Sequence, residues 1–204
     1  MVTYTYDDRI VDQEKAKGSI REPKTVLVQE FTEESSKQFD KDIGEAVQTG
    51  QEIVPIIIDS YGGQVYSLLS MIDTMEAYQS EVKFATICKG KAMSCGSVLL
   101  ACGNMRYIGH RATVMIHEVS SVELGKLKEI KAGVAEAERL NKKIMSILDI
   151  RSNKTPGYYE TLIDKAGHAD IFLTPQQAVE HGLVDKIKIP YHNVSISVKT
   201  EFYG

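Results

Sequence analysis

The sequence predicts an α/β domain of repeated β-α-β units around a mainly parallel sheet, and three observations carry that prediction. Continuous apolar runs of strand length, such as Ile53-Val54-Pro55-Ile56-Ile57-Ile58, lack the alternation of a half-buried strand and read as strands covered on both faces. Segments with apolar residues at helical intervals alternate with these runs. Glycine-containing turns separate the two kinds of segment. A chain of 204 residues suits one domain with small appendages. The expected division is an N-terminal arm over 1–24, a folded domain over 25–190 and a C-terminal tail over 191–204.

Residues 1–24 are polar and mixed in charge, and Pro23 closes them before the β-branched run Thr25-Val26-Leu27-Val28 predicts a strand. Over 32–50, Phe39, Ile43 and Val47 recur every fourth position, with Ser35 and Ser36 as candidate caps and Gly50 as a stop, so a helix is expected. The run 53–58 is the next strand, weakened by Pro55, which has no amide proton for a ladder. Leu68, Leu69, Ile72, Met75 and Ala77 predict a helix over 65–78, and 82–88 reads as another buried strand. An apolar helix over 94–102 and strands over 105–108 and 112–116 follow.

The period then changes. Leu127, Ile130, Val134, Ala137, Leu140, Ile144 and Leu148 describe a helix over about 124–150, near 37 Å long at about 1.5 Å per residue. That is long for this chain, so part of the helix is expected to protrude and pack against another subunit. Lys154-Thr155-Pro156-Gly157 breaks the chain before a helix around 158–165, and Phe172-Leu173 followed by Pro175-Gln176-Gln177-Ala178-Val179 predicts a strand and then a helix.

Composition excludes several classes. With 43% hydrophobic and 25% charged residues the chain is ordinary for a globular protein, which argues against disorder, collagen or a disulfide-stapled miniprotein. The formal net charge of −4 points to neither nucleic acid nor an anionic membrane as partner. No stretch approaches the roughly 18 apolar residues of a membrane span, and the N-terminus has no apolar core like that of a signal peptide, so a cytoplasmic protein is expected. Cys88, Cys95 and Cys102 are odd in number and lack the paired spacing of a zinc site, so reduced, mostly buried thiols are expected, with no metal or cofactor.

Two turns after buried strands are the candidate sites of chemistry, since such sheets place ligands at the carboxyl ends of their strands. Ile58-Asp59-Ser60-Tyr61-Gly62-Gly63 has paired glycines that permit positive φ and leave backbone amides open to a ligand, although a purely structural turn has the same composition. Gly90-Lys91-Ala92-Met93-Ser94-Cys95-Gly96-Ser97 places Ser94 at a helix N-terminus, where an alkoxide is favoured by the dipole and the next amide can donate to an oxyanion. A helix-capping serine is the plain alternative. Val114-Met115-Ile116-His117 brings a base to the end of a buried strand, at the sheet edge where Ser94 is expected. Asp170, just before Ile171-Phe172-Leu173, is the candidate orienting carboxylate, a surface-loop aspartate being its plain alternative.

Together these residues resemble the proteolytic subunit of the Clp protease (ClpP), within the ClpP/crotonase-like fold. That family's nucleophile lies in a G-x-A-x-S-x-G turn, here Gly90-Lys91-Ala92-Met93-Ser94-Cys95-Gly96. Its base ends a V-M-I-H strand, here Val114-Met115-Ile116-His117, and its third member precedes F-L and a helix ending A-V-E-x-G-L-V-D, here Ala178-Val179-Glu180-His181-Gly182-Leu183-Val184-Asp185. The resemblance covers roughly 25–188. It implies a serine endopeptidase with the catalytic residues Ser94, His117 and Asp170 and with the backbone amides of Gly63 and Cys95 as oxyanion donors. It also implies that the long helix is a "handle" joining two stacked heptameric rings around a chamber. Unfolded polypeptides would be the substrates, and a hexameric Clp-family AAA+ unfoldase would be the partner that uses ATP, because this chain has no nucleotide motif.

The chain departs from the family at several flanks. Tyr61 replaces the proline before the paired glycines, Glu118-Val119 replaces Gln-Pro after the histidine, Ser120-Ser121-Val122-Glu123-Leu124-Gly125 replaces a glycine-rich strand, and Ala169 replaces an arginine before the aspartate. These differences fit a remote member, of phage or organellar kind. They leave open a phage head-maturation or signal-peptide-peptidase-like protease that works without an ATPase, a catalytically silent scaffold subunit, and a hydrolase that uses the Cys95 thiol.

Overall fold

The computed structural model describes residues 3–5, 22–191 and 195–197. The expected arm (1–24) and tail (191–204) fall mostly outside the described residues. Within them, β1 (Thr3–Thr5) pairs in parallel with β9 (Ser195–Ser197). Between these lie β2 (Val26–Val28), α1 (Glu33–Val47), β3 (Ile53–Ser60), α2 (Val65–Ala77), β4 (Lys83–Met93), α3 (Cys95–Ala101), β5 (Met105–Ile108), β6 (Thr113–Ile116), α4 (Leu127–Arg151), α5 (Tyr158–Lys165), β7 (Ile171–Leu173), α6 (Pro175–Glu180) and β8 (Lys186–Ile187). This is the expected α/β fold, and its main sheet has the order β2-β3-β4-β5-β8 with every pair parallel.

The apolar runs behave as doubly covered strands. Val54, Ile56 and Ile58 of β3 are fully buried, as are Cys88 and Ala92 of β4. Pro55 is tolerated because β2 begins its pairing opposite Ile56, leaving Pro55 with a partner on the β4 side alone. Helix α1 starts from Thr32, not from Ser35 or Ser36. The Thr32 hydroxyl accepts from the Ser35 amide at 3.1 Å while the Ser35 hydroxyl accepts from the Thr32 amide at 2.8 Å, so Ser35 serves as the third helical residue of a capping box.

The largest difference from expectation is at β4. Residues 90–93, expected in a loop, continue the strand to Met93. The pairing with β3 jumps from Ile58↔Cys88 to Ser60↔Ala92, so two extra residues of β4 are accommodated in a bulge. Beyond it β4 leaves β5 and pairs with β6 along the same edge, Lys91↔Thr113 to Met93↔Met115. Local sequence carries no sign of this exchange, which depends on a strand more than twenty residues away.

Helix α4 is as long as its period predicts, 25 residues, and its two halves differ. Leu140, Ile144, Met145, Leu148 and Asp149 are buried, all in the C-terminal half, whereas Leu127 and Val134 are exposed. The apolar stripe of the N-terminal half is therefore left partly uncovered within this chain. Buried Asp149 fixes the other end: its carboxylate accepts from the Gly157 amide at 2.7 Å and the Tyr159 amide at 3.1 Å, which caps α5. Among the described residues no helix is long and apolar enough to cross a membrane.

Candidate active site

Ser94 sits between the end of β4 and the start of α3 with φ 54° and ψ −120°, a conformation that a side-chain-bearing residue rarely adopts. Three features hold it there. Its amide donates to the Met115 carbonyl of β6 at 2.9 Å, its own carbonyl accepts from the Ser97 hydroxyl at 2.7 Å, and every residue of α3 is buried. The Ser94 hydroxyl makes no capping bond to the helix. Instead Ser94 Oγ lies 2.7 Å from His117 Nε2.

The glycine turn comes close because it has no side chains to keep it away. A Cβ on Gly62 would stand 2.7 Å from the Ser94 Cβ, and one on Gly63 would stand 2.6 Å from the Phe31 carbonyl oxygen, with φ positive at both. The turn is tied down by Gln64, whose amide donates to Phe31 O at 2.7 Å, and by Ser60, whose hydroxyl accepts from the Gly62 amide at 3.0 Å. Cys95 Sγ donates to the Gly63 carbonyl at 3.2 Å, so the two loops meet. Burial pushes the Cys95 thiol above its ordinary pKa, and burial pushes Cys88 and Cys102 up to about 12. A buried thiol whose proton is already donated is poorly suited to attack as a thiolate.

Asp170 reaches the histidine through strand pairing. β7 runs antiparallel to β6 with Ile116 opposite Ile171, so the next residues outward, His117 and Asp170, face each other. His117 Nδ1 and Asp170 Oδ1 are 3.6 Å apart, an ion-pair separation longer than a hydrogen bond. The Asp170 side chain is 53% exposed against 24% for His117. Beside them His168 Nδ1 lies 3.1 Å from Glu118 Oε2, which links the turn carrying Asp170 to the segment after His117. That segment is also held by the Val119 amide, which donates to Asn141 Oδ1 of α4 at 3.0 Å.

All five sequence-predicted residues therefore converge. Four of them, Gly63, Ser94, Cys95 and His117, border a cleft of about 460 Å³, counting its open mouth, that is lined also by Val65, Leu68, Val98, Ile116, Glu118, Val119, Ile144 and Leu148, while Asp170 lies on the far side of His117, outside that lining. Sequence reasoning missed Gly62 as the point of closest approach, Asn141 and His168 as anchors of the His117 segment, and the contact of Asp59 with Lys91. Gly62 was flagged by its pair of glycines, whereas Asn141 and His168 sit in contexts with no distinguishing local signal.

The arrangement is a hydroxyl, an imidazole and a carboxylate in line, on an elbow facing a glycine turn, in the order serine, histidine, aspartate along the chain. A Clp protease family model matches residues 14–190. The chain belongs to the Clp protease family. Among its relatives, the ATP-dependent Clp protease proteolytic subunits of Bacteroides fragilis and Bacteroides thetaiotaomicron are 34% and 33% identical over 150 residues, 71% of this chain. The chain spans about two thirds of those curated relatives' lengths, 68% and 64% respectively. At this identity it is a divergent Clp protease family member.

Proposed function

We propose that this chain is a serine endopeptidase of the ClpP type, with residues 25–190 as the peptidase domain, Ser94 as nucleophile, His117 as general base and Asp170 as the residue that orients the imidazole. The observation that carries the reading is the 2.7 Å contact between Ser94 Oγ and His117 Nε2 on an elbow whose hydroxyl is not spent on capping. As Oγ attacks a peptide carbonyl, Nε2 takes its proton, and the C–O bond forms while the carbonyl π pair moves to oxygen. The resulting oxyanion is assigned to the amides of Gly63 and Cys95, donors on the two loops that meet beside Ser94. His117 then passes the proton to the leaving amine, the C–N bond breaks, and water repeats the sequence on the acyl-enzyme. The apolar walls of the cleft favour a hydrophobic side chain next to the scissile bond.

The substrates we assign are unfolded polypeptides, because a chamber keeps folded proteins away from enclosed serines while extended chains, short peptides and small probes can enter. The chamber consists of two stacked heptameric rings of this chain, in the cytoplasm, served by an ATP-dependent AAA+ unfoldase. The partly uncovered N-terminal half of α4, with Leu127 exposed beside exposed Val122 and Leu124, supports assembly through the handle. The relatives' designation as ATP-dependent proteolytic subunits supports the partner.

A fluorophosphonate probe tests the site. Wild-type protein is expected to be labelled at Ser94, located by mass spectrometry, and Ser94→Ala to be unlabelled. A folded, oligomeric wild type that takes no label would sink the peptidase reading in favour of a silent scaffold. Native mass measurement on the same sample tests the rings, since a monomer or a small oligomer would be incompatible with a chamber.

A further inference from the structure

The bulge in β4 is pinned by side chains that the reaction does not use. Lys91 Nζ lies 2.8 Å from Asp59 Oδ1, and the same ammonium stands 4.3 Å from the centroid of the Tyr61 ring. Asp59 belongs to the end of β3, Tyr61 to the turn just before Gly62-Gly63, and Lys91 to the part of β4 that has just exchanged β5 for β6. Gly90, at φ 96°, lets the carboxylate come close, since a Cβ there would stand 2.9 Å from Asp59 Oδ1. The hydrogen bond to Asp59 raises the Lys91 pKa, so the ammonium stays charged at neutral pH. These contacts bridge the two loops of the active site at their bases: β3 leads to the glycine turn, and three residues after Lys91 comes Ser94.

We propose that Asp59, Lys91 and Tyr61 form a positioning bracket that sets the Ser94 elbow against the Gly62-Gly63 turn. None of the three touches Ser94 or His117 in a hydrogen bond, so they act through the backbone they hold. The bulge has two residues that β3 does not match, and although 91–93 are laddered to β6, the ion pair to Asp59 is the side-chain tie that holds the bulged stretch against β3 and so fine-sets the elbow relative to the turn. Because Ser94 Oγ and the donors on the turn must both meet one carbonyl group, a displacement of a fraction of an ångström falls on the chemical step and leaves the substrate-binding walls of the cleft unchanged. The inference rests on the proposed peptidase function.

The test measures hydrolysis of a fluorogenic peptide amide with leucine before the scissile bond, and the rate of fluorophosphonate labelling of Ser94, in the full-length chain. Lys91→Met and Asp59→Asn are expected to lower kcat and labelling about tenfold with KM changed less than about twofold, while the thermal midpoint stays close to wild type. Lys91→Arg, which keeps charge, reach and the ring contact, is expected to recover most of the loss. Tyr61→Ala removes one arm of the bracket outside any strand, and a smaller drop of the same kind is expected even if the strand variants fold poorly. Unchanged kcat in Lys91→Met and Tyr61→Ala, or a loss that Arg does not recover, overturns the bracket alone. A wild-type chain with no label at Ser94 overturns the peptidase reading and the bracket with it.

Discussion

Ser94 and Asp170 stand on either side of the His117 ring, and the protein holds them in different ways. Ser94 follows a strand whose last residues pair with β3 on one side and β6 on the other, and it precedes a helix with no exposed residue. Its strained backbone is imposed by that surrounding structure. Asp170 hangs from a turn containing Gly167 and His168, both at positive φ, and reaches His117 across 3.6 Å from a half-exposed position. The Glu118–His168 pair that joins the two segments there is itself exposed on both sides. Strand pairing and core packing therefore hold Ser94 in place, and the proposed Asp59–Lys91–Tyr61 bracket only refines its fit against the glycine turn. The carboxylate is placed by one short antiparallel strand and a solvent-screened surface pair.

The contrast can be broken first on its rigid side. Gly62→Val would push a side chain into the Ser94 Cβ at a φ of 103°, and the peptidase rate is expected to fall by about 10³-fold, with about 1–3 kcal/mol lost from stability in a urea melt. A variant with wild-type activity would show that the elbow is not confined by the turn. On the loose side, Asp170→Asn is expected to cost less. A well-buried triad aspartate is worth about 10⁴-fold, and the long, screened contact here should reduce that to about 10²-fold in kcat with the fold intact. A loss equal to that of Ser94→Ala would erase the difference between the two sides.

The smallest effect is expected from Glu118→Gln. An exposed ion pair contributes about 0–1 kcal/mol, so the thermal midpoint should move by less than about 3 °C and the rate by less than about threefold. A tenfold fall in rate would mean that the surface pair, and not β7, aligns Asp170.

Much of this was legible in the residues. The α/β class, a strand over 53–58 that the fold extends to Ser60, the strand Met105–Ile108 and the 25-residue helix follow from apolar periodicity, while the grouping of Ser94, His117 and Asp170 with Gly63 and Cys95 was implied by the resemblance that three motifs in order carry. Those signals are local, because hydrophobic period and turn chemistry are written in consecutive residues. The exceptions are also physical. A capping box needs the direction of the Ser35 hydroxyl, which residue type leaves undetermined.

What the sequence determined by itself was, apart from the end of β4, which residues would be strand, helix or turn, and which of them could carry acid–base chemistry, since hydrophobic period and functional groups are properties of the chain alone. What only the tertiary structure decided was distance. The exchange of β4 from β5 to β6, the pairing of Ile116 with Ile171 that sets His117 opposite Asp170, and the ion pair of Asp59 with Lys91 each join segments far apart along the chain. Register between such segments is chosen by the packing of the whole sheet, where a slip of one residue would turn every side chain to the other face.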